Sequence, residues 1–164
     1  CWGAQAALYH FYKIPKYQLQ RKMFGVFQHT VRRHPSILLH GLDDTFNTPV
    51  SRHTENRIKD FSNFPNLEIL IESEASGLCL IQDVKRRHLH MFNHLEYDSD
   101  TLHNEYIRDL STRQDVNLPL NYYPDDDPKN DPVNSWRGNG HLLFSNWVNF
   151  LYQTTPFLLK DIGK

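Results

Sequence analysis

Residues 67–98 read LEILIESEASGLCLIQDVKRRHLHMFNHLEYD. Three apolar runs of strand length stand in this stretch, at 67–72 (LEILIE), 78–84 (LCLIQDV) and 89–94 (LHMFNH). Gly77 falls in a turn between the first two runs, and Lys85-Arg86-Arg87 marks a solvated turn between the second and third. Upstream, 23–31 (MFGVFQHTV) predicts a further strand and 54–61 a short helix. At the front, Ala4, Ala7, Leu8 and Phe11 recur at helical spacing until Ile14-Pro15 ends the run, so a helix starts directly after Cys1. Downstream, Ser99 caps a helix with Asp100 in its first turn, and Leu102, Tyr106, Ile107 and Leu110 form its apolar stripe. Prolines at 119, 124, 128 and 132 exclude regular structure over 117–139. A last helix is predicted over 141–152, burying Leu143, Phe144, Trp147, Val148 and Leu151. Strands mixed with helices make an α/β layer fold. A strand should feed the first helix of such a fold, and none stands before Cys1.

The chain has 164 residues, the size of one domain or of a large part of one. Lys plus Arg number 18 and Asp plus Glu 19, for a net charge of −1, which argues against a general nucleic-acid binder. With 39% hydrophobic and 13% aromatic residues the chain can bury a core. No apolar run approaches the roughly 20 residues needed to span a bilayer. The two cysteines, Cys1 and Cys79, make no disulfide framework, and a reducing cytoplasm is the expected compartment.

Two segments carry candidate chemistry. A thiol at Cys1, just before a helix, sits at the positive end of the helix dipole, which favours the nucleophilic thiolate. Gly3 relieves crowding in a tight turn of the nucleophile-elbow kind, and the Trp2 N–H is then placed to help stabilise an oxyanion. The plainer alternative is a small buried cysteine. His94 ends an apolar strand, at the sheet edge where open α/β folds place their sites. Glu96, two residues on, projects to the same side in extended chain and can fix the imidazole tautomer. A surface histidine beside an unrelated carboxylate is the competing reading. His88 and His90 alternate on one strand face, but no cysteine or paired spacing completes a zinc pattern, so exposed strand histidines and no metal are expected. Lys22, Ser51, Arg52 and Arg108 taken singly read as solvated surface residues.

Longer strings say more together. CWGAQAALYHFYKIPKY, KMFGVFQH, the HLEYD segment, Arg108-Asp109, NYYPDDDPKNDPVNSWRGNGHLLFSNWVNF and the Q-T-T-P end resemble the homoserine O-acyltransferases, the acetyl- and succinyltransferases of methionine biosynthesis, over nearly the whole chain. The resemblance implies an α/β, three-layer αβα fold of the class I glutamine amidotransferase-like (flavodoxin-like) type. It implies that residues 1–164 are the C-terminal portion of a single acyltransferase domain that starts at the nucleophile. The missing N-terminal half would supply the strand before Cys1 and a second oxyanion donor. Cys1 matches the cysteine that takes the acyl group from acyl-CoA as a thioester, His94 the general base and Glu96 the acid that orients it. Lys22, Ser51 and Arg108 match positions that bind the amino acid. One departure is Asn93-His94-Leu95, where many relatives have Gly before the histidine and Pro after it.

The expected function is therefore transfer of an acetyl, or else succinyl, group from acyl-CoA to L-homoserine, with ping-pong kinetics. No cofactor beyond the acyl-CoA co-substrate is expected, nor a nucleic-acid or membrane partner, and the assembly expected is a homodimer. L-Serine as acceptor differs by one methylene, worth only about 1–3 kcal/mol of discrimination. Two other classes compete: an N-terminal-cysteine hydrolase, which leaves His94 and Glu96 without a role, and a non-catalytic module whose histidines bind metal.

Overall fold

The computed structural model describes residues 1–32, 35–112 and 116–163. Helix α1 (Trp2–Tyr12) opens the chain and ends at Lys13, whose left-handed backbone lets its N–H donate to the Tyr9 carbonyl. Strands β1 (Tyr17–Val31), β2 (Thr45–Glu55), β3 (Leu67–Ser73), β4 (Gly77–Asp83) and β5 (His88–Met91) follow, then helices α2 (Thr101–Thr112) and α3 (Arg137–Thr154). The five strands form one sheet in the order β2-β1-β3-β4-β5, each neighbouring pair antiparallel.

β1 and β2 form a long ribbon that, among the described residues, pairs with the rest of the sheet only at its far end, where Thr30 and Val31 pair with Glu72 and Ile71. Its near end is stitched instead to the site-bearing segments. The His94 N–H donates to the Pro49 carbonyl at 3.0 Å. Thr54 and Gln5 exchange two hydrogen bonds, which tie β2 to α1.

Two apolar clusters surround the sheet. One gathers Leu8 and Ile14 with Leu67, Leu78, Ile81 and Phe92. The other packs Phe24, Val26, Leu70 and Leu80 with Leu102, Trp136 and Leu143 from the later segments. Burial of such side chains, each worth about 1.5–3 kcal/mol, holds the layers together.

Gly25 is where a side chain is excluded. Its φ is +144°, and a Cβ there would lie 2.3 Å from the Leu120 carbonyl oxygen. The backbone at Leu120 runs along β1 at that point, donating to the Phe24 carbonyl and accepting from the Val26 N–H. This contact anchors the proline-rich segment to the sheet, and Tyr122 and Tyr123 beyond it are buried.

Several expectations need correction. Residues 54 and 55 close β2, and only Ile58–Phe61 turns, as a 3-10 helix. β5 stops at Met91, so His94 stands in the following loop rather than on the strand. α2 starts at Thr101 with no acidic residue in its first turn; Asp100 precedes it. Ile107 and Leu110 on α2 are exposed, and so are Trp147, Val148 and Leu151 on α3, where only Gly140 and Leu143 are buried. A stripe at helical spacing states which residues share a face, but not which face meets the sheet.

Candidate functional site

Cys1 precedes α1 and is partly exposed, with no hydrogen bond from its side chain to the helix start. Trp2 is the first helical residue, so its N–H is among the four at a helix start that have no intrahelical carbonyl. The Cys1 backbone nitrogen donates to the Met91 carbonyl at 3.0 Å, which docks the head of α1 on the end of β5. The chain then needs only three residues to reach His94.

His94 Nδ1 and Glu96 Oε1 are 2.8 Å apart. The i, i+2 pair meets through a turn closed by the Tyr97 N–H on the His94 carbonyl, not through the extended chain expected from sequence. The carboxylate accepts from Nδ1–H and so leaves Nε2 with a free lone pair, the tautomer a general base needs. Burial, the largest single influence, opposes ionisation of Glu96, but the hydrogen bonds from His94 and the backbone together with nearby positive charge outweigh it, and its pKa falls below the ordinary carboxylate value. The Tyr97 ring stacks on the imidazole, centroids 4.3 Å apart. Gly140 of α3 closes the turn from outside: a Cβ there would meet the Leu95 carbonyl oxygen at 2.9 Å.

Glu105 of α2 organises the second half of the site. Its Oε2 accepts from Ser51 Oγ at 2.6 Å and Lys22 Nζ at 3.1 Å, and its Oε1 from the Tyr97 hydroxyl at 2.7 Å. Lys22 Nζ also reaches Asp109 Oδ2 at 2.8 Å, and Arg108 Nε and Nη2 donate to Asp109 Oδ1 at 3.0 and 2.8 Å. Burial pushes the Glu105 carboxyl up, but the bonds from Ser51, Tyr97 and Lys22 win, and it lies below the usual range. Tyr97 is pushed the other way, by burial first and then by Glu105. Lys22, Ser51 and Arg108, which singly read as surface residues, thus come together from β1, β2 and α2. Tyr97 links them to the His94 ring. The sequence does not single out Glu105: three residues before Arg108 on α2, its spacing is that of an ordinary surface pair, and its Oε2 is 3.8 Å from Arg108.

Behind His94 lies a buried polar cluster. Arg52, also read as solvated, is 5% exposed; it donates to the Leu78 and Ser76 carbonyls and to Asn93 Oδ1. Asn93 Nδ2 in turn donates to His29 Nε2 at 2.7 Å, and His29 Nδ1–H donates to the Phe27 carbonyl at 2.8 Å. The departure at Asn93 therefore has a structural use, because glycine there would supply neither bond. It pins the residue before His94 to the sheet.

Burial lowers the His29 pKa from 6.5 to about 4. The unfolded chain binds this proton below 6.5 and the folded one only near 4, so stability falls as pH drops through that window. The expected loss is on the order of 3 kcal/mol. Denaturant unfolding of the full-length protein between pH 7 and 4 checks this. His29→Gln should flatten the slope by about one proton relative to wild type. Equal slopes would show that His29 is not buried neutral.

Residues 1–157 match the family described as homoserine O-succinyltransferase. Proteins named homoserine O-acetyltransferase are similar over the whole chain. That of Rhizobium leguminosarum bv. trifolii is 50% identical over 163 residues, that of Allorhizobium ampelinum 51% over 164 and that of Desulfitobacterium hafniense 52% over 164. Each match covers 99% or 100% of this chain and 53% of the relative, so the chain spans about half the length of these proteins. Among solved structures, a candidate GMP synthase component of Thermoplasma acidophilum superposes with a TM-score of 0.59 at 13% identity, covering 93% of this chain and 55% of that one. A glutamine amido transferase of Methylobacillus flagellatus does so with a TM-score of 0.52 at 11% identity, covering 82% and 55%. At such identities the likeness is one of fold, and that fold is the class I glutamine amidotransferase-like α/β arrangement.

Proposed function

Since the chain belongs to the homoserine O-succinyltransferase family, we propose that the full-length protein is a cytoplasmic homoserine O-acyltransferase of methionine biosynthesis. Acetyl-CoA is the donor, ahead of succinyl-CoA, and L-homoserine the acceptor. The identity of about one half, over the whole chain, to proteins named homoserine O-acetyltransferase carries this reading. The His94–Glu96 pair supplies a chemistry to match.

The reaction runs in two halves. His94 Nε2 accepts the Cys1 thiol proton, and the thiolate attacks the thioester carbonyl of acyl-CoA. The Trp2 N–H helps hold the oxyanion, CoA leaves as the thiol, and a Cys1 thioester remains. The amino-acid hydroxyl then gives its proton to His94, attacks the thioester and leaves as the O-acyl ester, which restores Cys1. Glu96 keeps Nδ1 protonated throughout and stabilises the imidazolium. Lys22, Ser51 and Arg108 bind the amino acid; Glu105 and Asp109 hold these side chains in place. The chemistry needs no resident cofactor.

Steady-state assay of the full-length protein with acetyl-CoA and succinyl-CoA against L-homoserine and L-serine tests the reading. Parallel double-reciprocal lines with acetyl-CoA and L-homoserine are expected. A preference for L-serine would overturn the acceptor, and intersecting lines the thioester intermediate.

Arg108→Lys separates the half-reactions. The guanidinium fork gives a substrate carboxylate two charge-assisted bonds that an ammonium cannot reproduce. Loss of one such bond, about 1.5–3 kcal/mol, raises the KM for the amino acid roughly tenfold or more. Single-turnover acylation by acyl-CoA should stay within about twofold of wild type. Slow acylation with normal use of the amino acid would refute the assignment.

A further inference from the structure

The β4–β5 hairpin carries a cluster that acyl transfer does not use. Its register sets Asp83 opposite His88 and Ile81 opposite His90. His88 and His90, two residues apart on one strand, point to the same face, and Asp83 stands beside them across the ladder. One ligand atom from each of the three lies within 4.8 Å of the other two. The two imidazole rings meet edge to face with centroids 6.0 Å apart. The C-terminal turn of α1 covers the cluster: the Phe11 ring is 5.3 Å from His88, and the Tyr12 hydroxyl donates to Asp83 Oδ2 at 2.5 Å.

The expectation of exposed strand histidines fails here. His90 is 3% exposed and Asp83 fully buried, because α1 packs over this part of the sheet. His90 Nε2 is sealed from solvent and has no hydrogen-bond partner among the described residues. An imidazole nitrogen left unpaired in the interior is costly, and a ligand on that atom removes the cost. Asp83 is the opposite case: Oδ1 accepts from Asn66 Nδ2 and the Arg86 N–H, both at 3.0 Å, while Oδ2 accepts from Tyr12. Such outer contacts orient metal-ligating carboxylates.

We propose that Asp83, His88 and His90 form a binding site for a divalent transition cation of the zinc class, which staples β4 to β5 beneath α1. Two imidazoles and one carboxylate are a donor set for zinc, whereas Mg²⁺ and Ca²⁺ take oxygen ligands. Zinc holds such donors about 2.0–2.2 Å away, hence roughly 3.3 Å from each other in a tetrahedron. The partly exposed His88 supplies the rotation that closes the remaining gap. Arg86, 4.0 Å from Asp83 Oδ2 and bonded to the Tyr12 hydroxyl, is the cation that the metal displaces. The bound ion is structural and independent of the acyltransferase reading: it braces the hairpin whose last residue, Met91, receives the Cys1 nitrogen.

The test uses tag-free full-length protein stripped with chelator. Calorimetric titration with Zn²⁺ should give one equivalent per chain, and Co²⁺ should develop the strong visible bands of a tetrahedral site. Zn²⁺ should also raise the melting temperature. His88→Ala and His90→Phe should each weaken binding by at least about a hundredfold, since they remove ligands and not outer contacts. His90→Phe keeps the buried position filled, so its metal-free melting temperature shows that the fold survives while the zinc-dependent rise disappears. Substoichiometric binding by wild type, or stoichiometric binding that persists in both variants, would overturn the site.

Discussion

Replacing Cys1 by serine in the full-length protein is expected to reduce acyl transfer to background. A thiol near its own pKa supplies some thiolate at neutral pH, while a serine hydroxyl supplies almost none without a much stronger base. The position adds to this. Cys1 precedes α1, where unpaired N–H groups favour negative charge, and its side chain is not spent on capping them. The only other thiol in the chain is no competitor: Cys79 is fully buried, and burial pushes its pKa up to about 12. Incubation with acyl-CoA followed by intact-mass measurement should therefore add one acyl group to wild type and none to Cys1→Ser. An acyl adduct retained by Cys1→Ser, and mapped to Cys79, would show that the wrong cysteine was chosen.

How far the sequence could be read depended on how local each feature is. His94 and Glu96 are two residues apart, so their hydrogen bond was within reach of chain geometry, although a turn and not a strand delivers it. Strands β3 and β4 were legible as apolar runs. β2 was not, because its polar residues and Pro49 disguise a strand that only an edge position tolerates. The convergence of Lys22, Ser51 and Arg108 is a tertiary fact. Taken singly they read as surface residues, which Arg108, its side chain 64% exposed, indeed is, and only the resemblance to a family marked the three out together. Glu105, which Ser51, Lys22 and Tyr97 all contact, lay hidden behind a spacing that usually means a weak surface pair. His90 shows the same limit from the other side. Alternation put it on a face with His88, but whether that face met water depended on where α1 docked.

That division between local and tertiary support sets the expectation for the catalytic pair. His94→Ala should lower kcat/KM by about 10²–10⁴, the usual contribution of a general base. In the proposed mechanism both half-reactions pass a proton through Nε2, so acylation and transfer should slow together. Glu96→Ala should cost less, because Glu96 acts only through His94 and other groups also hold that residue. Tyr97 stacks on the ring, the Pro49 carbonyl holds the His94 N–H, and Asn93 fixes the preceding residue to Arg52 and His29. What Glu96→Ala removes is the acceptor for Nδ1–H and the negative charge that stabilises the imidazolium formed in each proposed half-reaction. Glu96→Gln keeps an acceptor without the charge and should recover part of the rate. His88→Ala, on the same segment but outside this arrangement, should leave the rate within about twofold of wild type when both are assayed metal-free, so that the cation proposed at Asp83, His88 and His90 plays no part. The measurement is kcat/KM for the four variants on metal-free protein, with circular dichroism to confirm folding. If folded His88→Ala matched the loss in His94→Ala, or if Glu96→Ala kept the wild-type rate, the base and its orienting carboxylate would have to be sought elsewhere in the site.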